Sequence, residues 1–375
     1  MSLYTPEQQE LINLVRQYVA KEIAPIVAEY DRMGEPPMEA YKKGMDIGFH
    51  LLEIPAQYGG AGLNTLDSVI VKEELSVIDS GVGTTFGATG LAVNVMLKGG
   101  TDEQKTHFFD FLAEGHLAAF CLTEPDAGSD ASAIRATAVA DGDDYIINGT
   151  KCFITNGGIA DIFIVIAVTD KSKGTRGISA FVAERSQGVK SGKDEDKMGI
   201  RLSNTTDVIF EDVRVHKSAM IGKEGEGFYL SMKALENGRI ACGAGAVGII
   251  RRCIELSAKY AKERVTFGKP IGTNQGVSFM LADMKIAEEA ARALVHHAAR
   301  LCDAGKPFKT EASAAKTFAS DSAMQAATNA VQIFGGYGYS REYPVEKLMR
   351  DAKIYQIYEG SNQIQRMIIA NALLK

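Results

Sequence analysis

The pattern of hydrophobic residues changes twice along this chain of 375 residues, and these changes constrain the fold more than any single motif. Up to residue 116, apolar residues recur every three or four positions, as on the buried side of a helix. From 117 to about 225 they form short β-branched or aromatic runs between turn residues, and then the helical period returns. We therefore predict an α+β multidomain fold with an N-terminal helical bundle (1–116), a small barrel- or sandwich-like β domain (117–225) and a C-terminal four-helix bundle (226–375).

The N-terminal segment contains a clear helix start. Pro6 follows Thr5, and Gln8 completes a capping box, so an amphipathic helix is predicted over residues 5–30. Four further helices are predicted at 38–49, 65–77, 84–97 and 102–112. Thr101 is the predicted cap of the last of these.

The central segment predicts short strands, and Asn148-Gly149 is its clearest hairpin turn. The predicted strands are 117–122, 134–139, 145–147, 151–155, 162–168, 178–182 and 208–213. Beyond them, long amphipathic helices are predicted at about 228–264, 275–304 and 310–334.

Composition excludes several classes of protein. A net charge of −6 and a pI near 5.7 give no general attraction to nucleic acid or to an anionic membrane. No uncharged apolar run of about eighteen residues exists, so no membrane span is expected.

The five cysteines are odd in number and widely spaced, which indicates thiols in a reducing compartment. With a helix start directly after Met1 we expect no targeting segment and a cytoplasmic protein. The six histidines have no metal-ligand spacing, so no metal is predicted.

Two stretches of the β domain can hold a flat ring or a phosphate. Residues 120–130 leave a strand and enter a loop rich in hydroxyls and small residues, where Thr123 and Ser129 are side-chain donors. In the strand 151–157, alternation places Phe153 and Thr155 on one face, where they can stack on a ring and bond its edge. An ordinary strand-end turn and a core phenylalanine are the structural alternatives.

A GxGxxG string spans residues 243–248, with Glu263 about twenty positions later. A dinucleotide fingerprint needs a strand directly before it, whereas residues 228–242 predict a helix. We interpret these glycines as sites of close helix packing.

The C-terminal region carries a lone carboxylate, Glu359, between Tyr358 and Gly360, where one apolar helix pattern stops and another begins. Gly360 lets the backbone approach a ligand closely, and Ser361 or Asn362 can cap the final helix. A solvated loop glutamate is the alternative interpretation.

The string Tyr-Glu-Gly-Ser-x-x-Ile-Gln-Arg (358–366), preceded by Phe-Gly-Gly-Tyr-Gly (334–338), resembles the C-terminal signature of the acyl-CoA dehydrogenases, which are flavoenzymes. The resemblance recurs over the whole chain, includes the order of helical, β and helical segments, and is closest to short-chain or butyryl-CoA dehydrogenases. It implies that FAD is the cofactor and Glu359 the catalytic base.

By the same resemblance, the residues that contact FAD are Phe120, Leu122, Thr123, Ser129, Phe153, Thr155, Arg264, Phe267, Gln275, Gln332, Gly335, Gly336, Ser361 and Gln363. The residues implied to contact acyl-CoA are Ser129, Glu236, Arg239 and Gly360. Phe153 stands where the family usually has tryptophan. Segments 264–275 and 332–336 match those that reach a neighbouring subunit's FAD, which implies a homotetramer built as a dimer of dimers.

The resemblance further implies that Glu359 takes the α-proton of an acyl-CoA, the flavin takes the β-hydride to give a trans-2-enoyl-CoA, and electrons leave to an electron-transfer flavoprotein. Branched-chain members carry their glutamate at the position of Gly238 instead. Overall resemblance and the absence of Lys, Arg or His from 79 to 97 favour a short, unbranched acyl group of about butyryl size. The open alternatives are an enoyl-CoA reductase, an acyl-CoA oxidase and a non-catalytic scaffold.

Overall fold

The computed structural model describes residues 4–375. Helices fill its first third, and the predicted caps at Thr5 and Thr101 are both formed as capping boxes. These helices are α1 (Pro6–Tyr18), α2 (Val27–Met33), α3 (Met38–Ile47), α4 (Thr65–Ile78), α5 (Ser80–Gly99) and α6 (Asp102–Ala113).

The single helix predicted over residues 5–30 is wrong, because the helix is interrupted. After α1 the chain makes a π-helical turn at Val19–Ile23, in which the amide of Ala24 donates to the carbonyl of Val19. Pro25 has no amide hydrogen to continue the ladder, so regular helix resumes only at Val27.

The β domain is one mixed sheet in the order β6-β7-β3-β2-β4-β5-β8, with β1 paired in parallel to β4. The end strands β6 and β8 do not pair with each other in residues 4–375, so the sheet is open and forms no closed barrel. The strands are β1 (Ala118–Cys121), β2 (Thr137–Asp141), β3 (Asp144–Thr155), β4 (Ile162–Val168), β5 (Ile178–Glu184), β6 (Lys190–Asp194), β7 (Thr205–His216) and β8 (Met220–Ile221).

Asn148-Gly149 is not a hairpin turn, which corrects the sequence prediction. Both residues lie inside β3, where Asn148 exchanges two hydrogen bonds with Asp212 of β7 and the register shifts. A methyl group on Gly149 would lie 2.5 Å from Cβ of Ala136, so glycine is required for close approach of the chain before β2. The real turn is two residues, Gly142 and Asp143, between β2 and β3.

The C-terminal domain is built around α7, which runs unbroken for 37 residues. Its glycines sit against other helices: methyl groups on Gly245 and Gly248 would lie 2.6 Å from the Tyr355 hydroxyl and the Glu73 carbonyl, respectively. The helices are α7 (Gly227–Glu263), α8 (Gln275–Asp303), α9 (Lys309–Phe334), α10 (Val345–Tyr355) and α11 (Asn362–Leu373), with a short hairpin of β9 (Val265–Thr266) and β10 (Lys269–Pro270).

Helices α4 and α5 of the N-terminal domain pack directly on α7. This packing places the turn between α10 and α11, which contains Glu359, beside α5 and the first half of α7. No helix within residues 4–375 has the length and apolarity that a bilayer crossing requires.

Candidate active site

The turn at residues 356–361, here called the Glu359 turn, has an unusual backbone. Glu359 and Gly360 both have positive φ, 57° and 86°, and a glutamate rarely adopts this conformation. Two side chains hold it: Gln365 Nε2 donates to the carbonyls of Glu359 and Gly360, and Lys316 Nζ donates to the carbonyl of Gly360. Strain that is held in place by its surroundings is typical of functional sites.

The carboxylate of Glu359 is buried at its tip and has no donor. Its Oε2 atom has no hydrogen-bond partner among residues 4–375. A methyl group on Gly238 would lie 2.4 Å from this oxygen, so α7 approaches the carboxylate where it has no side chain. Burial raises the pKa of Glu359, while the positive charges of Arg239, Lys316 and Lys72 oppose this rise. Such a carboxylate has increased proton affinity and a free oxygen.

Arg239 and Glu236, the predicted substrate contacts on α7, lie near this carboxylate. Arg239 is 5% exposed, and its Nε and Nη1 atoms have no partner in the described part of the chain. Burial lowers its pKa, and the charges of Glu359 and Glu236 oppose the decrease. Glu236 is also buried and pairs with Lys233 at 3.2 Å. The arginine therefore has free donors directed into the protein rather than to solvent.

A bulge in β3 brings together the first set of predicted FAD contacts. The register shifts between Lys151 and Ile154, and Phe153 takes a φ of 55° with 65% of its surface exposed. Cys152 donates its amide to the carbonyl of Thr123, and Lys151 Nζ donates to the carbonyl of Leu122. The exposed aromatic ring therefore lies beside the strand end that carries Leu122 and Thr123.

The other residues of this set differ in exposure. Thr155 and Phe120 are half-buried, whereas Ser129 is exposed on the loop that follows β1. The bulge offers an exposed ring with nearby hydroxyls, which fits a planar cofactor. Gly360, Ser361 and Gln363 belong to the C-terminal domain, where Ser361 caps α11 by accepting from the Ile364 amide and Gln363 is exposed.

The second set of predicted FAD contacts lies at the far end of α7. A cavity of about 440 Å³ is lined there by Arg264, Gly335, Gly336 and Tyr337, among others. Arg264 is exposed and makes no ion pair in residues 4–375, and its guanidinium carbon lies 5.4 Å from the centre of the Tyr337 ring. Phe267, Gln275 and Gln332 are exposed near this end. A free arginine with small residues beside it fits a phosphate pair.

The two sets of predicted FAD contacts lie toward opposite ends of α7. Gly227 at the start of α7 packs on Ser179 and Ala180 of β5, whereas Arg264 follows the last residue of the same helix. A helix of 37 residues is about 55 Å long, much longer than a dinucleotide. The two sets of predicted FAD contacts are therefore separated within one chain by most of the length of α7.

Sequence reasoning missed the residues that support the Glu359 turn. Lys316 is fully buried in α9 and also donates to Asn362 Oδ1, while Gln365 is fully buried in α11. The available signal was a lysine on an alanine-rich, apolar helix face (Ala312, Ala315, Ala319), because a buried lysine needs a nearby acceptor. No group of three potential metal ligands occurs in residues 4–375.

Comparisons with known proteins give matches over the whole length of the chain. Family models for the N-terminal, middle and C-terminal domains of acyl-CoA dehydrogenase match residues 5–116, 119–213 and 225–374. A short-chain-specific acyl-CoA dehydrogenase of Megasphaera elsdenii is 47% identical over 378 residues, covering 99% of both chains.

Two solved structures superpose over the full length of both chains. One is the butyryl-CoA dehydrogenase of Megasphaera elsdenii, with 45% identity and a TM-score of 0.97. The other is a chain from the structure of the electron transferring flavoprotein of Acidaminococcus fermentans, with 47% identity and a TM-score of 0.97. The chain belongs to the acyl-CoA dehydrogenase family, a family of FAD-dependent oxidoreductases.

Proposed function

We propose that this protein oxidises a short-chain acyl-CoA to the trans-2-enoyl-CoA, with Glu359 as the base that takes the α-proton. The observation that carries the proposal is the buried Oε2 atom of Glu359, which has no donor among residues 4–375 and faces the gap left by Gly238. A carboxylate with a raised pKa is better matched to a weak carbon acid.

The backbone of the Glu359 turn supplies a second function. No residue in the described part of the chain accepts a hydrogen bond from the amide of Glu359. Since the positive φ of Glu359 is fixed by Gln365 and Lys316, this amide is available to hold the thioester oxygen as charge develops on it. Base and donor then come from the same residue.

Residues of the β3 bulge orient the cofactor. Phe153 would lie against the ring system and Thr155 would bond its edge, with Leu122 and Thr123 on the adjoining strand end. When bound, FAD supplies the acceptor for the two electrons that leave the β-carbon. Arg239, with two free nitrogens, would bind the substrate on the α7 side.

The proposed assembly rests on the two sets of predicted FAD contacts. The Phe153 set and the Arg264 set lie toward opposite ends of α7, which supports a site in which a second chain supplies Arg264 and the 332–336 loop to each flavin. A homotetramer built as a dimer of dimers satisfies this requirement. The match to a chain from the structure of an electron transferring flavoprotein supports such a protein as the electron acceptor.

Anaerobic titration of the holoenzyme with acyl-CoAs tests this function. Butyryl-CoA should bleach the flavin of the parent enzyme, and Glu359→Gln should slow bleaching by about 10²- to 10⁴-fold while FAD content stays the same. A Glu359→Gln enzyme that is reduced near the parent rate contradicts the assignment. Rapid peroxide formation in air would indicate an oxidase, and faster turnover of crotonyl-CoA with reduced electron carrier would indicate a reductase.

A further inference from the structure

The face of α5 beside Glu359 carries Leu91 and, one turn earlier, a glycine. Leu91 Cδ1 lies 3.5 Å from the position a methyl group on Gly238 would take, next to the Glu359 carboxylate. One turn earlier on the same face, Gly87 has open space, with no atom within 4 Å of a methyl group placed there. The acyl group of a substrate held at Glu359 therefore has room to extend along α5.

This space ends at side chains from α4. A methyl group on Gly83 would lie 2.3 Å from the hydroxyl oxygen of Ser76, and one on Gly90 would lie 3.7 Å from Nζ of Lys72. The positive charge of Lys72 is also among those that oppose the rise in the pKa of Glu359. A buried cation thus lies at the α5 side of the active site, although α5 itself carries no charge before Lys98.

Lys72 belongs to a buried network centred on the carboxylate of Glu53. Its Nζ donates to Glu53 Oε1 at 2.7 Å, Ser68 donates to the same oxygen at 2.7 Å, and Asn94 donates to Glu53 Oε2 at 2.8 Å. Burial alone would raise the pKa of Glu53, but Lys72 and these hydrogen bonds lower it to about 2. Glu53 is therefore an anion held by three donors.

The ammonium group of Lys72 retains unused donors. An ammonium has three hydrogens, and Glu53 is the one acceptor that Lys72 finds in residues 4–375. A cavity of about 10 Å³, enough for about one small polar atom, lies between Lys72, Glu53, Phe86 and Gly90. Lys72 is 9% exposed, so an apolar group placed here would leave charged N–H groups unpaired.

We infer that Lys72 is a specificity residue and that the preferred substrate carries an oxygen acceptor at the far end of its acyl chain. The inference rests on the proposed dehydrogenase function and changes the expected plain aliphatic chain to one ending in a hydroxyl, carbonyl or carboxylate oxygen. The prediction from residues 79–97 considered α5 alone, whereas the cation comes from α4.

The test compares acyl-CoAs that differ at the chain end. The kcat/KM of the holoenzyme is measured with butyryl-CoA, 4-hydroxybutyryl-CoA, pentanoyl-CoA and glutaryl-CoA. We expect at least one oxygen-bearing ester to exceed its methyl-ended counterpart by about 10- to 100-fold, the value of one hydrogen bond to a charged group. The hydroxyl and carboxylate esters distinguish a neutral from an anionic chain end.

The matched variant is Lys72→Met with Glu53→Gln, which removes both charges together and leaves no unpaired buried ion. It should lose the preference for oxygen-ended esters. Lys43→Met, which removes an exposed lysine paired with Glu22, should leave the preference intact. An enzyme that prefers butyryl- and pentanoyl-CoA, or a double variant that keeps the parent's preference, overturns the inference and leaves the dehydrogenase function standing.

Measurements of substrate binding test this inference independently of the proposed reaction. In the Glu359→Gln background, calorimetric Kd values for the four esters report recognition without turnover. Tighter binding of an oxygen-ended ester that disappears with Lys72→Met and Glu53→Gln supports the role of Lys72 even if no ester bleaches the flavin. Equal Kd values for oxygen- and methyl-ended esters overturn it.

Discussion

Two buried charged clusters of this protein differ in how they are paired. In the first, called here the Lys347 cluster, Lys347 donates to both Asp79 and Asp351, Asp79 also caps α5, and Asp351 accepts from the Ile200 amide. In the second, Arg239 is buried and Glu359 is half-buried, yet the buried Oε2 of the glutamate and two nitrogens of the arginine have no partner in residues 4–375.

Full pairing indicates a structural role, whereas unpaired polar atoms indicate a role in catalysis or binding. A fully paired buried cluster joins helices from separate domains, since Lys347 lies on α10 and Asp79 precedes α5. An unpaired buried charge opposes folding, and it persists because the surrounding backbone holds it in place. The predictions below test this comparison and extend it to other charged residues, in order of decreasing expected effect.

Moving the base should give the largest effect. Glu359→Gly removes the carboxylate, and glycine suits the positive φ of that position, so turnover should decrease by about 10²- to 10⁴-fold while the fold persists. Adding Gly238→Glu should restore part of the activity, because position 238 faces the same space. Stopped-flow flavin reduction measures both, and Gly238→Gln in the same background is the control. Equal rates for the Glu and Gln versions would refute the convergence of the two positions.

Breaking the Lys347 cluster should reduce the free energy of unfolding rather than the rate of turnover. Lys347→Met leaves two buried aspartates without their cation, so the free energy of unfolding should decrease by about 3–5 kcal/mol. Chemical denaturation measures this change, and kcat per bound FAD should stay near the parent value. Lys43→Met, at an exposed pair, should cost about 0–1 kcal/mol. Equal losses in the two variants would show that the cluster has no special role.

Removing Arg264 should affect cofactor retention and assembly together. Arg264→Ala deletes an exposed guanidinium that has no ion pair within the described chain, so FAD affinity should weaken by about 2–5 kcal/mol. Flavin absorbance per chain and sedimentation velocity measure the two properties. Arg32→Ala, another exposed arginine without an ion pair, is the control. A yellow, tetrameric Arg264→Ala protein would contradict the shared site.

The smallest effect concerns the pH dependence of stability. Burial raises the pKa of Glu359, so its contribution to stability is present at pH values below its ordinary pKa of 4.5 and is lost as the pH rises through the raised pKa. The pKa of Glu53 is lowered to about 2, so its contribution is present above pH 4.5 and is lost as the pH decreases toward 2.

Two glutamine variants, one at each glutamate, test these opposite pH dependences. At pH 7, Glu359→Gln should be more stable than the parent and Glu53→Gln less stable, and both differences should shrink on acidification. Denaturation midpoints between pH 3 and pH 8 measure them. Differences of the same sign in the two variants would contradict the assigned pKa directions.

The sequence by itself determined the order of domains, most element boundaries and the catalytic candidate. Strand β4 was predicted at its exact residues, and α7 to α9 within one residue at each end, because periodicity and caps are local properties. The motif around Glu359 was equally local, and the turn and cap at Gly360 and Ser361 follow from it. Local rules failed at Asn148-Gly149, where cross-strand pairing with Asp212 outweighs turn propensity.

Tertiary structure alone decided which distant side chains share a space. Lys316 and Gln365 hold the Glu359 turn from two different helices, and Lys72 of α4 lies beside Gly90 of α5. Sequence spacing cannot show these contacts, since they depend on how α4, α5 and α7 pack through glycines. The pairing of a buried charge, and hence its pKa and role, is set by neighbours that are far apart in the chain.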